Sequence, residues 1–86
     1  MKDFQVKVSI RLRPSVLDPA GEAIKSAADK LGVDKINSLR IGKLIDINLK
    51  AFEKKDAIEK IELLCDRLFA NKVIEDYEYT FENIDD

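Results

Sequence analysis

The stretch Leu39–Leu49 of this 86-residue chain reads Leu-Arg-Ile-Gly-Lys-Leu-Ile-Asp-Ile-Asn-Leu. Its apolar residues at positions 39, 41, 45, 47 and 49 all have odd numbers, so they share one face of a β-structure that keeps its phase across the glycine. A two-residue hairpin at the glycine would bring Asp46 into the core. We therefore expect either a hairpin with a three-residue connection or one long strand bent at Gly42, where a bulge costs little.

The residues before this stretch predict a strand and a helix. Phe4–Arg13 alternates apolar and polar residues without interruption, which indicates a strand with one solvated face. Asp18-Pro19 is typical of a helix start, because the aspartate accepts free backbone N–H groups and proline suits the first helical position. The helix is expected over Pro19–Leu31, with Gly32 closing it, and its alanine-rich stripe buries too little area to hold it firmly.

The residues after the central stretch predict a second helix and a last strand. Glu53–Asp56 offers several polar starts for this helix, of which Asp56 is the preferred N-cap. Cys65 lies on the inward stripe of the helix, where a buried and inert thiol is expected. Asn71 is expected to end the helix in a left-handed conformation in place of glycine. The last strand is expected over Val73–Phe81, and the acidic end, residues 82–86, is expected to fray.

These elements predict one α+β domain over residues 1–86, in the order β-α-β(β)-α-β. The two helices can bury their apolar sides together only if both cover one face of a single antiparallel sheet, which is related to the ferredoxin-like pattern. A central strand of eleven residues would overhang so small a sheet and leave backbone groups unpaired. A second copy could pair these groups, so we expect a dimer and leave a tetramer open.

The composition narrows the range of functions. The chain is 45% hydrophobic and 37% charged with a net charge of −2, so it should fold, and no overall positive field attracts nucleic acid. It has no histidine and one cysteine, which removes the commonest general base and multi-thiolate metal sites. No apolar run approaches the length of a membrane span or a signal sequence, so we expect a cytoplasmic protein.

No catalytic, cofactor-binding or metal-binding residue is expected. Gly42-Lys43 beside Arg40 could hold an anion, but phosphate loops need several glycines before a helix, and here the neighbours are strand residues. A turn or bulge glycine flanked by solvated cations is the favoured interpretation. Such a chain is more typical of a binding or scaffolding module than of an enzyme.

Three segments together resemble the PurS family, the small subunit of the multi-part phosphoribosylformylglycinamidine (FGAM) synthase of purine biosynthesis. The segments are Val16–Gly21, Leu39–Lys43 and Leu68–Tyr77. Each is weakly specific alone, whereas the three in this order in a chain of this length are quite specific. The likeness extends from about Phe4 to Phe81.

The resemblance implies a non-catalytic dimer that joins a PurQ-like glutaminase to a PurL-like ATP-dependent synthetase. The complex would convert formylglycinamide ribonucleotide (FGAR), glutamine and ATP to FGAM, glutamate, ADP and phosphate. ATP and magnesium are implied for the complex, and no cofactor is expected on this subunit. The alternative is a stand-alone ferredoxin-like dimer that senses a small ligand at its interface, and RNA binding is disfavoured by the charge.

Five residues are hypothesised to lie near partner contacts, because loops and exposed cations at strand bends leave a small scaffold free to recognise other proteins. They are Asp18, Pro19, Arg40, Gly42 and Lys43.

Overall fold

The computed structural model describes residues 1–82 as a three-stranded antiparallel sheet with two helices. The elements in chain order are β1 Lys2–Leu12, α1 Pro19–Lys30, β2 Gly42–Ala51, α2 Lys54–Leu64 and β3 Glu75–Phe81. α2 continues into one π-helical turn over Cys65–Phe69, and the strand order is β2-β1-β3. The predicted α+β class and order of elements are confirmed. The predicted fraying concerns mostly residues 83–86, which lie outside the described residues.

β1 is the central strand, and its alternation builds the core. Its inward side chains Val6, Val8 and Ile10 are buried, and they pack with Ile61 of α2 and Cys65 of the π-helical turn. Burying one side chain of this size contributes about 1.5–3 kcal/mol. The hydrophobic core therefore lies mainly between β1 and the α2 region.

The stretch Leu39–Leu49 forms neither a hairpin nor one continuous strand. β2 begins at Gly42, so Leu39, Arg40 and Ile41 lie outside the sheet and lead into it. A Cβ at Gly42 would lie 2.7 Å from the Ile10 carbonyl oxygen, which explains why the chain enters the sheet at a glycine. Both expected arrangements are therefore wrong, because a single strand of ten residues starts at Gly42 and runs to Ala51 without crossing a bend at the glycine.

α1 begins as the sequence predicts and ends one residue earlier, with Leu31 as its C-cap. Gly32 follows in the left-handed conformation at φ 90°. The helix buries only Gly21, and its apolar residues Ile24 and Leu31 are 50% and 84% exposed. Of the two helices, α2 contributes to the core, whereas α1 leaves its apolar side uncovered, because its alanine stripe offers little area to bury.

The predicted N-cap of α2 and the predicted left-handed conformation of Asn71 are both wrong, whereas the helical segment ends at Ala70 as expected. Its N-cap is Glu53, and Asp56 lies in the first turn, where its carboxylate accepts the Phe52 N–H at 3.2 Å. Among residues 1–82 no residue other than glycine has a positive φ, so Asn71 is not a left-handed terminator. The helix widens into the π-helical turn and leaves it at Ala70, which is extended.

β3 begins later than predicted, at Glu75, because the residues before it form a turn. The Asn71 side chain accepts the Val73 N–H at 3.1 Å, and the Ile74 N–H donates to the Asn71 carbonyl at 3.0 Å. Val73 is therefore 80% exposed and outside the strand.

The hydrogen-bond alternation determines which backbone groups face the two open edges of the sheet. Arg13 donates its N–H to the Ile74 carbonyl and Glu82 donates to the Gln5 carbonyl, both at 2.8 Å, so odd-numbered residues of β1 bond to even-numbered residues of β3. The even-numbered residues of β1 then bond to odd-numbered residues of β2. Outward-facing backbone groups consequently belong to even-numbered residues on β2 and to odd-numbered residues on β3.

Candidate partner-binding site

Asp18 joins the start of α1 to the entry of β2. Its Oδ1 accepts the Gly21 N–H at 3.0 Å, as an N-cap does, and its Oδ2 accepts the Ile41 N–H at 2.8 Å. The Asp18 side chain is buried, at 5% exposure. One carboxylate therefore connects two segments that are 23 residues apart in sequence.

These bonds also set the protonation state of Asp18. The Ile41 N–H lowers the pKa of the Asp18 carboxyl most, followed by the Gly21 N–H, and the nearby Arg40 charge adds to the shift. Burial acts in the opposite direction, more weakly than either of these hydrogen bonds. Asp18 is therefore a charged acceptor at neutral pH.

Gly21 permits α1 to lie close to the segment before β2. A Cβ at this position would lie 2.5 Å from the Leu39 carbonyl oxygen and 2.7 Å from Asp18 Oδ2. Since one of these neighbours is backbone, only a shift of the helix could make room. The glycine is required here by close packing.

Arg40 ties the loop after β1 to the segment before β2. Its guanidinium donates to the carbonyl oxygens of Arg13, at 2.9 Å, and of Val16, at 2.6 Å. The side chain is nevertheless exposed. Arg40 thus holds a fixed orientation at the surface, which is a favourable property for recognition.

Lys43 and Gly42 lie on the neighbouring edge of the same region. The Lys43 ammonium donates to the Phe69 carbonyl at 3.2 Å, at the end of the π-helical turn, and remains exposed. A Cβ at Gly42 would also lie 2.7 Å from Arg11 Cγ. The glycine thus lets the strand begin beside β1 without a clash.

Two adjoining clefts collect most of the predicted residues. One has a volume of 310 Å³ and an apolar floor with a charged rim, and it is lined by Ile10, Leu12, Asp18, Ala20, Ile41, Gly42, Lys43 and Glu75. The other has a volume of 500 Å³ and is lined by Arg11, Leu12, Pro14, Ser38, Arg40, Asp76 and Glu78. Four of the five predicted residues line one or the other cleft, and Pro19 lines neither while it begins α1 beside Asp18.

The sequence did not predict a cluster in which one carboxylate bridges two tyrosines. Glu62 of α2 accepts hydrogen bonds from the Tyr77 hydroxyl at 2.7 Å and the Tyr79 hydroxyl at 2.6 Å. The Tyr79 bond and then the Tyr77 bond lower the pKa of Glu62, and the hydrogen bond to Glu62, followed by burial, raises the pKa of Tyr77 to about 12. The alternation of the tyrosines along β3 was the available signal, but nothing in the sequence paired them with Glu62.

The described part of the chain holds no cluster typical of a metal centre. Among residues 1–82, no three histidine, cysteine, aspartate or glutamate side chains are grouped to hold a metal ion. The thiol of Cys65 is buried, as predicted, and burial raises its pKa. Over the same residues, the longest helices are too short and too polar to cross a membrane.

The fold defines the class of protein, a small α+β domain with a three-stranded antiparallel sheet and clefts beside the start of β2. Comparison with known proteins gives the particular family. The family model for PurS, described as phosphoribosylformylglycinamidine (FGAM) synthase, matches residues 5–83. The chain belongs to the PurS family.

Individual relatives agree over nearly the whole chain. The PurS subunit of Synechocystis sp. is 43% identical over 86% of this chain and 74% of its own, and that of Bacillus subtilis is 35% identical over 94% and 95%. The structure of PurLQS from Thermotoga maritima contains a chain that superposes with a TM-score of 0.88 at 30% identity, over 95% of this chain and 100% of that one. The chain is accordingly a subunit of FGAM synthase.

Proposed function

We propose that this chain is the non-catalytic bridging subunit of a cytoplasmic FGAM synthase. It holds a PurQ-like glutaminase beside a PurL-like synthetase, so that ammonia released from glutamine reaches FGAR without loss to solvent. ATP and magnesium act on the synthetase subunit. The strongest support is the similarity to a chain in the PurLQS structure, which covers that chain completely.

Reconstitution tests this role. The two large subunits are assayed for FGAM formation with and without this chain, first with glutamine and then with ammonium chloride as the nitrogen source. We expect the chain to restore glutamine-dependent synthesis and to leave ammonia-dependent synthesis unchanged. Glutamine or ATP hydrolysis by the purified chain alone, or full glutamine-dependent synthesis without it, would contradict the role.

We propose further that the clefts near Asp18 and Lys43 contact a larger subunit. Lys43 and Arg40 are two of the exposed cations that line these clefts, whereas Asp18, Pro19 and Gly42 shape the backbone that presents them. The apolar floor of the smaller cleft would accept a side chain of the partner, and the charged rim would orient it.

Charge reversal tests this surface. We expect Lys43→Glu and Arg40→Glu to weaken assembly, measured by light scattering of the mixed subunits. Lys55→Glu provides a matched control, because Lys55 is an exposed cation on α2 away from both clefts. Thermal melts of each variant show whether weaker assembly comes from lost partner contacts, which leave the melting temperature unchanged, or from loss of the Arg40 hydrogen bonds to Arg13 and Val16, which lowers it. Unchanged assembly with both variants would exclude this surface.

We also propose that two copies pair through the outer edge of β2. The outward-facing backbone groups belong to its even-numbered residues, so an antiparallel pair with its two-fold axis at Asn48 matches donors to acceptors. This register sets Asp46 opposite Lys50 of the second copy, and the reverse. The edge is thus self-complementary in both backbone and charge.

A charge exchange tests this dimer. Lys50→Glu replaces two attractive cross-strand pairs with two repulsive ones, and each such pair is worth about 0.2–1 kcal/mol. We expect weaker dimerisation by sedimentation equilibrium and recovery when Asp46→Lys is added. A double variant no stronger than the single one would contradict this register.

A further inference from the structure

Building on the assembly role proposed above, we propose that the outer edge of β3 binds an extended segment of a partner protein. In this segment apolar residues alternate with lysine or arginine, and it joins the sheet as a fourth antiparallel or parallel strand beside β3.

The edge of β3 is open and regular. Within residues 1–82 the sheet ends at β3, and its register with β1 runs without a bulge from Phe81 opposite Val6 to Glu75 opposite Leu12. The strand contains no proline and no lysine, the two residue types that commonly protect an edge from pairing. Its odd-numbered residues direct their backbone groups outward, which is the template that strand addition requires.

The inward side of this edge is aromatic. Tyr77, Tyr79 and Phe81 are each half-buried and form a continuous row, with ring centroids 6.5 Å apart for the tyrosine pair and 6.2 Å apart for Tyr79 and Phe81. Apolar side chains on an added strand would cover the exposed halves of these rings. Such cross-strand pairs between aromatic and β-branched residues stabilise a sheet.

The outward side of the edge is acidic. Asp76 and Glu78 alternate with the aromatic residues, and their ion pairs to Arg13 at 3.2 Å and Arg11 at 3.7 Å are exposed to solvent. Exposed pairs contribute little, so these carboxylates keep acceptor capacity for further cations. An added strand would therefore carry basic residues at every second position on this face.

A second copy of this chain does not satisfy the same edge. An antiparallel register centred on Tyr77 places Asp76 of one copy opposite Glu78 of the other. A register centred on Glu78 places Glu78 of one copy opposite Glu78 of the other, and a register centred on Tyr79 places Asp76 opposite Glu82. Each register brings carboxylates together, and like charges directly opposite are destabilising. This contrasts with β2, whose edge pairs opposite charges with itself.

A synthetic peptide tests the inference. The probe is a fluorescein-labelled octapeptide in which lysine and valine alternate, titrated into the purified chain at about 0.15 M salt to limit non-specific attraction. We expect saturable binding together with slower amide exchange at Tyr77, Tyr79 and Phe81 by NMR. The Glu78→Gln variant should bind about two- to five-fold more weakly, and Asp3→Asn, on the same face beyond the end of β3, should bind as the parent does.

Two control peptides make the outcome decisive. One has the same lysines and valines in separate blocks, so it keeps the charge and loses the match between its side chains and the two faces of the edge. The other carries an N-methyl group on every backbone nitrogen, so it keeps the charge and loses the donors that strand pairing requires. We expect neither to bind measurably. Equal binding of either control, protection of β2 amides in place of β3 amides, or no binding of the alternating peptide would overturn the inference. The bridging role is tested separately, by glutamine-dependent FGAM synthesis with the reconstituted subunits, so a failure of peptide binding can be distinguished from a failure of the bridging role.

Discussion

Replacing Gly21 with alanine should destabilise the chain, although the same change in a helix normally stabilises. Alanine is favoured over glycine in a helix interior by about 1 kcal/mol. At Gly21, however, the new Cβ would lie 2.5 Å from the Leu39 carbonyl oxygen and 2.7 Å from Asp18 Oδ2. Forcing atoms into such a site costs about 1–3 kcal/mol, and the upper part of this range, about 2–3 kcal/mol, applies here because one neighbour is backbone. We therefore expect a net loss of about 1–2 kcal/mol.

Urea denaturation followed by far-UV circular dichroism measures this loss. With an m-value of about 1 kcal/mol/M for a small domain, the midpoint should fall by about 1–2 M. The protein concentration must be held constant, because self-association adds to apparent stability. Ser26→Ala, an exposed change within α1, is the matched control and should leave the midpoint equal or slightly higher.

α1 could also detach locally without unfolding of the sheet, so a second measurement is needed. The Ile41 N–H donates to Asp18, and its exchange with solvent reports whether the connection between α1 and β2 persists. We expect faster exchange at Ile41 in Gly21→Ala. A variant as stable as the parent, with Ile41 exchange unchanged, would refute the packing role of Gly21.

Three further outcomes are expected. Both tyrosines of the chain donate hydrogen bonds to Glu62. An alkaline titration of tyrosine absorbance should show Tyr77 ionising near pH 12. In Glu62→Gln the pKa of Tyr77 should fall towards the ordinary tyrosine value of about 10. The pKa values of Asp18 and Glu62 are lowered in the folded chain. Their ionised carboxylates therefore stabilise the fold fully above the unfolded carboxyl pKa of about 4, and this contribution falls as the pH drops further. In acid denaturation, the stability of Asp18→Asn should depend less steeply on pH than that of the parent. In urea denaturation, Ile61→Ala should lower the free energy of unfolding by about 2–5 kcal/mol and Ile61→Val by about 0.5–1.5 kcal/mol, because Ile61 is fully buried beneath β1. Equal losses in the two variants would argue against a tightly packed core.

Sequence reasoning succeeded where the interaction is local or periodic. Asp18 caps α1 as expected, because its partner Gly21 lies three residues away. The inward face of β1 follows from alternation alone. The same reasoning failed at Asp56 and Asn71, since the start and end of α2 depend on how the helix meets the sheet and on the π-helical turn.

The sequence indicates which residues belong to the candidate site but not which hydrogen bonds hold them in place. Arg40 and Lys43 were chosen as exposed cations, yet each donates to backbone carbonyl oxygens that lie 24 to 27 residues away in sequence. Asp18 was chosen as a helix cap, and its second bond, to Ile41, is what places α1 beside β2. Such pairings need the coordinates of both segments, and periodicity carries no information about them.

The amino-acid order alone determined the class of fold, the inward face of each strand, the start of α1 and the family, because these depend on neighbours and on short repeating patterns. Only the tertiary structure decided that β2 starts at Gly42, that α1 leaves its apolar side uncovered and that Glu62 bridges two tyrosines. These features arise where segments distant in sequence compete for the same space and the same hydrogen-bond partners.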